Sequence, residues 1–161
     1  MSTEGQFELR VCATLIHNSI QGVKALSMMR KAILLFAQSS RQEAESKTFV
    51  ACNSRANYLI ALHLNGYAHK IARNADVDLI RMDETTQHGH SFKERLWNAC
   101  QDVFNLGYDS LVVIGNDTPL LTIKHLQAAL NEIEKGSVVI GPSADGGLYL
   151  LGFHKDTFSE H

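Results

Sequence analysis

Proline is scarce: Pro119 and Pro142 are the only two in 161 residues. With 45% hydrophobic and 20% charged residues, the composition is that of a folded chain rather than a disordered one. Cysteine is equally thin. Cys12, Cys52 and Cys100 are odd in number, far apart and never in a Cys-x-x-Cys pair, which excludes a disulfide framework or zinc knuckle and suits a reducing cytoplasm. Strong charge is missing too, with a net charge of −2 and a pI near 6.4. No basic tract marks a nucleic-acid backbone or an anionic membrane as the partner, so a small-molecule ligand is expected.

The apolar N-terminal segment is neither a signal-peptide core nor a membrane span. Glu4, Glu8 and Arg10 precede it, and His17, Asn18, Gln21 and Lys24 interrupt it, where both would require an unbroken apolar run. Leu9, Cys12, Ala13, Ile16, Ile20 and Val23 recur at helical spacing. Residues 1–30 are therefore expected to be an N-terminal extension carrying an amphipathic helix, followed by one domain over residues 31–161.

What is present from residue 31 onward is an alternation of apolar runs with helix-period segments, the mark of an α/β domain. Lys31–Phe36, KAILLF, reads as a strand covered on both faces. Residues 56–73 place Ile60, Leu64, Tyr67, Ala68 and Ile71 on one helical face, and DVDLIRM follows as a strand. A second helix over 91–106 buries Phe92, Leu96, Ala99, Cys100, Val103 and Phe104, with Ser91 as its cap and Gly107 as its stop. LVVIG is the next strand. Thr122 then caps a helix whose stripe is Leu126, Ala129, Leu130 and Ile133, and Gly136 ends it. SVVIGPS and LYLLGF lie too close together for a helical crossover, so they either pair antiparallel or sit in separate parts of the sheet.

Two loops carry candidate chemistry. Asp117 follows the strand LVVIG in GNDTPLL, where Gly115 permits a sharp turn and Pro119 fixes the exit. Ligands of open α/β sheets bind beyond the carboxyl ends of the strands, and a carboxylate there suits Mg²⁺ or Mn²⁺. The alternative is turn chemistry, for which Asn and Asp are common. IGPSADGGLYLLG repeats the arrangement with Asp145, Gly146 and Gly147, although Asp-Gly also makes plain hairpins. Two such loops allow two carboxylates to share one divalent ion. Gln87 and Gly89 precede the helix over 91–106 and could present its N-terminus to an anion, with Arg95 one turn in. His88 and His90 lack a third ligand at metal-site spacing and read as surface histidines.

QHGHSFKERL, GYDSLVVIGNDTPLLTIKHLQAAL and GPSADGGLYLLG resemble the motif blocks of domain of unknown function 2064, a group of glycosyltransferase-like proteins also called radical-SAM/selenodomain-associated transferases. The resemblance runs strongly from Gln87 to Gly152 and more weakly over residues 31–47. It implies a three-layer, Rossmann-like, mixed but mostly parallel sheet of the nucleotide-diphospho-sugar transferase (glycosyltransferase A) type, with the domain short at its C-terminus. It also implies a metal-dependent glycosyl- or nucleotidyltransferase using a nucleotide or nucleotide-sugar donor and a small-molecule acceptor, with a homodimer compatible. On this likeness Asp117 and Asp145 are the catalytic and metal-binding acids. Lys47, Gln87, Gly89, Arg95, Asn116, Gly146 and Gly147 surround the donor.

The departure from the wider fold is the segment after the first strand. FAQSSRQEAESKTF has no glycine and carries Glu43 and Glu45 beside Arg41 and Lys47; the two cations are candidate phosphate contacts, with a solvated charged loop as the alternative. That keeps a second class open, a degenerate, non-catalytic nucleotide-binding or interaction module. A haloacid-dehalogenase-like phosphatase is disfavoured, because FAQSS stands where its Asp-x-Asp nucleophile would be.

Overall fold

The computed structural model describes residues 10–12, 29–144 and 146–158. Its elements are β1 (Arg10–Cys12), β2 (Lys31–Phe36), α1 (Ser40–Ser46), α2 (Ser54–Arg73), β3 (Asp78–Met82), α3 (Phe92–Asn105), β4 (Ser110–Ile114), α4 (Ile123–Glu134), β5 (Val138–Pro142) and β6 (Leu148–His154), followed by a 3-10 turn over Lys155–Thr157. The expected strands and the three long helices are present close to their expected bounds. Cys12 lies in the edge strand β1, paired with β5, rather than on the helix its spacing suggested. The rest of that helix lies outside the described residues.

The sheet order is β1-β5-β6-β4-β2-β3. β2 runs parallel to β3 and β4, whereas β6 is antiparallel to both β4 and β5. Of the two alternatives for the last strands, the hairpin is the one formed, since a short loop can join only antiparallel neighbours. β6 therefore wedges between β4 and β5, and its first half lies beside the end of β4, with Leu150 opposite Ile114.

Alternation along the central strands divides the core. Ile33, Leu35, Val112 and Ile114 pack with Ala68 and Ile71 of α2 and with Leu126 and Leu130 of α4. Ala32, Leu34, Leu111 and Val113 pack with Ala99, Cys100 and Val103 of α3. Ile33 and Leu34 are wholly buried, and each such side chain contributes about 1.5–3 kcal/mol, so the strands that carry the cleft form a stiff base. Cys100 belongs to this packing, and burial pushes its thiol pKa up to about 12.

α2 starts two residues before the expected segment 56–73, because Asn53 Oδ1 accepts the Ala56 amide at 2.9 Å. Within α2, buried Asn57 accepts the Phe49 and Val50 amides at 3.0 and 2.7 Å, which ties the α1–α2 connection to the helix. At the amino end of the sheet, Asp109 accepts the Arg30 amide at 2.9 Å and the Lys155 ammonium at 2.6 Å.

Gly141 in β5 lies under the Tyr149 ring of β6, and a Cβ at 141 would sit 2.6 Å from Tyr149 Cζ. Gly141→Ala is expected to cost about 1–3 kcal/mol through overpacking. That corresponds to roughly 2–4 °C of melting temperature per kcal/mol in a domain of this size. An unchanged thermal melt would refute the close approach.

Candidate functional site

The carboxyl ends of β2 and β4 and the first half of β6 open onto a cleft of about 640 Å³. Lys47, Gln87, Arg95, Asn116, Asp117 and Gly147 all border it, so residues from four separate stretches of sequence meet in one place. Gly89 and Gly146 lie outside its lining, and Asp145 lies outside the described residues. Tyr149 both borders the cleft and belongs to the core.

The segment after β2 is the largest correction to the sequence reading. It forms α1 rather than a charged loop, and Ser39 caps it by accepting the Gln42 amide at 3.3 Å. Glu84, from the loop after β3, accepts the Ser39 amide at 2.7 Å and its hydroxyl at 2.5 Å. The Ser39 bonds hold the Glu84 carboxyl below its usual range. The helix turns Glu43 inward, where it is 3% exposed.

Glu43 is the hub that sequence reasoning missed. Its Oε1 lies 2.5 Å from Lys47 Nζ, and its Oε2 accepts Asn116 Nδ2 at 3.3 Å. Lys47 Nζ in turn lies 3.2 Å from Asp117 Oδ2. Desolvation opposes charge on Lys47, yet the hydrogen bond to Glu43 and the field of Asp117 outweigh it and raise its pKa. Asn116 is buried and engaged with Glu43, whereas the Asp117 side chain is 58% exposed toward the cleft. The strand end thus points its amide inward and its acid outward.

Arg95 faces the same cleft from α3 and is half-buried. Among the described residues its guanidinium has no ion-pair or hydrogen-bond partner. Gln87 Nε2 donates to the Met82 carbonyl at 3.0 Å, which anchors the loop before α3 to the end of β3. A Cβ on Gly89 would stand 2.9 Å from the Arg95 amide nitrogen, so a side chain there would collide with the first turn of α3. That turn already carries a carboxylate: Glu94 accepts the His90 amide at 2.8 Å, while Ser91 accepts the Glu94 amide at 3.1 Å. The His90 bond is the main reason the Glu94 pKa is lowered. His88 is engaged on α3, with Nε2 2.9 Å from Asp102 Oδ2 and its carbonyl accepting Asn98 Nδ2 at 2.9 Å.

Among the described residues no three His, Cys, Asp or Glu side chains converge on one point. Among the described residues Asp117 and Glu43 are the acids that border the cleft, and Glu43 is buried behind Lys47. Mg²⁺ commonly takes one or two carboxylates and completes its shell with water and substrate phosphates. The donor set here fits that kind of ion, one assembled together with a phosphate ligand, better than a resident all-protein site.

A family model described as "Uncharacterized protein conserved in bacteria (DUF2064)" matches residues 48–160. No curated protein matches the sequence. Among solved structures, the chain is similar to a "putative nucleotide-diphospho-sugar transferase" from Desulfovibrio desulfuricans G20. The TM-score is 0.69 and the identity 25%, and the match covers 82% of this chain and 66% of that one. The chain thus spans just under two thirds of that protein's length.

Proposed function

The chain belongs to the bacterial family DUF2064, and from that membership and the geometry of the cleft we propose that it is a metal-dependent glycosyltransferase using a nucleotide-sugar donor. The observation that carries the reading is Arg95: a half-buried cation, without a partner among the described residues, in the same cleft as an exposed carboxylate. A donor diphosphate would supply an anion for Arg95, and Asp117 would hold a divalent ion beside it. The likeness to the Desulfovibrio protein supports a sugar-nucleotide ligand. The place where nucleotidyltransferases carry a glycine-rich loop is filled by α1, which favours glycosyl over nucleotidyl transfer.

In the reaction, an acceptor hydroxyl oxygen bonds to the anomeric carbon as the bond from that carbon to the diphosphate oxygen breaks. The electron pair leaves with the nucleoside diphosphate, and the hydroxyl proton passes to a base, a role we assign to Asp145. Asp117 and Asp145 would hold Mg²⁺ or Mn²⁺, which would supply neutralisation of the charge that develops on the leaving group. Arg95 binds and orients the phosphates. Lys47 Nζ turns from Asp117 toward them while keeping its contact with Glu43. Catalysis then rests on positioning and electrostatics rather than on a covalent intermediate.

Calorimetric melts with nucleoside diphosphates and nucleotide sugars, with and without Mn²⁺, test the reading. A donor at a hundred times its Kd stabilises by about 2.7 kcal/mol, or roughly 5–10 °C here. Arg95→Gln is expected to remove most of that shift. No shift across the panel would refute the donor site, and binding without turnover of any nucleotide sugar would leave the non-catalytic module.

A further inference from the structure

One face of α2 packs on the sheet, and the opposite face is exposed along its whole length. That outer face carries Tyr58, Leu59 and Leu62, which are 43, 53 and 47% exposed, and Val50 beside the helix start is 40% exposed. Around them stand Arg55, Lys70 and Arg73, in a helix, SRANYLIALHLNGYAHKIAR, without one acidic residue. None of these three cations has a partner among the described residues. The sequence shows no basic run because the cations are spread over the length of α2, and only the helical repeat gathers them on one side.

We propose that the outer face of α2 docks on an anionic lipid surface, with the helix lying flat in the headgroup layer. Tyr58, Leu59 and Leu62 enter the acyl boundary, and Arg55, Lys70 and Arg73 pair with lipid phosphates. Among the described residues no helix is long and apolar enough to cross a membrane, so this contact is one of lying on the surface. Charge decides among occupants. A two-fold pairing of α2 with a second copy would set Arg55 against the other copy's Lys70 and Arg73, a like-charge contact. A nucleic-acid backbone would satisfy the cations but leave the two leucines without an apolar partner. α2 packs with α4 on one face of the sheet, whereas α3 walls the cleft from the other, so docking through the outer face of α2 does not cover the cleft.

The test is co-sedimentation of the full chain with large vesicles of phosphatidylcholine, with and without phosphatidylglycerol, at low and high salt. Sedimentation is expected only with phosphatidylglycerol and is expected to be reversed by salt. Arg55→Gln, Lys70→Gln and Arg73→Gln should each lower the partition coefficient roughly fivefold. Leu59→Ser with Leu62→Ser should lower it further without lowering the melting temperature, because both side chains are exposed. The proposal is overturned by any of four results: no sedimentation with either vesicle, sedimentation that these variants leave unchanged, preferential binding to duplex DNA, or a dimer that the leucine variants dissolve. Nucleotide binding is a separate readout, so failure here leaves the reading of the cleft intact.

Discussion

Asp117→Ala is expected to abolish the Mn²⁺-dependent part of donor binding and to lower kcat/KM by about a hundredfold or more, the order of loss when one preorganised electrostatic partner of a transition state is removed. Its fold should hardly change. The Asp117 side chain is more than half exposed and its contact with Lys47 is 3.2 Å long, and an exposed ion pair is worth only about 0–1 kcal/mol. The measurement is therefore a pair: calorimetric donor titrations with and without Mn²⁺, and a thermal melt of the same sample. Weak binding with a normal melt assigns Asp117 to the ligand. Wild-type binding by Asp117→Ala would remove it from the site and with it the metal position in the mechanism.

Glu43→Leu is expected to show the opposite pattern, a large loss of stability. Glu43 is 3% exposed and is the acceptor of a buried amide on Asn116 and the nearer of two carboxylates around Lys47. Removing it leaves Asn116 Nδ2 without an acceptor, at about 1–3 kcal/mol, and leaves Lys47 with one acid in place of two. The total of about 3 kcal/mol corresponds to a fall in melting temperature of roughly 6–12 °C. Donor affinity should fall as well, since Lys47 loses the group that keeps it over the cleft. Glu43→Gln, which retains an acceptor for Asn116, is expected to recover much of the stability but not the hold on Lys47. Equal melts for wild type and Glu43→Leu would show that the buried contacts contribute nothing net.

Most of the architecture was legible because its signals are local. KAILLF and LVVIG are continuous apolar runs, and they are the two central parallel strands. The stripe from Leu96 to Phe104 and the cap at Ser91 set α3, whereas Phe92, expected at the start of the stripe, is exposed. The pairing of β5 with β6 was left between two alternatives by loop length alone, since nothing local says which strand a hairpin will join. α1 was missed because its seven residues are too few for a hydrophobic period and nearly all polar. Ser39-x-x-Gln42 was nevertheless a capping-box signature in plain view, and Glu43 with Lys47 was an i,i+4 pair.

At the site, the loops were readable and the direction of side chains was not. Adjacent Asn116 and Asp117 look equivalent in GNDTP, yet one faces the interior and the other the cleft. That difference depends on Glu43, seventy-three positions away from Asn116. Lys47 was placed at the donor by family likeness, whereas its link to Asp117 needed α1 to exist. The cations of α2 escaped notice for the same reason in another form, because a charge count along the chain cannot see a surface.

The β5–β6 hairpin has a bearing on how this scaffold diversifies. Its tip lies at the cleft rim, stitched by the Ser143 amide donating to the Gly147 carbonyl at 2.9 Å, while the ladder of β4 with β6 stays fixed by pairs such as Ile114 with Leu150. Residues added to that tip extend into solvent and leave the ladder unshifted. Rim height is therefore a variable separable from the strand that holds Asp117. Insertions beside Ser143 offer a route, for natural drift or for an engineer, to re-shape what enters the cleft while the strand that carries Asp117 is inherited unchanged.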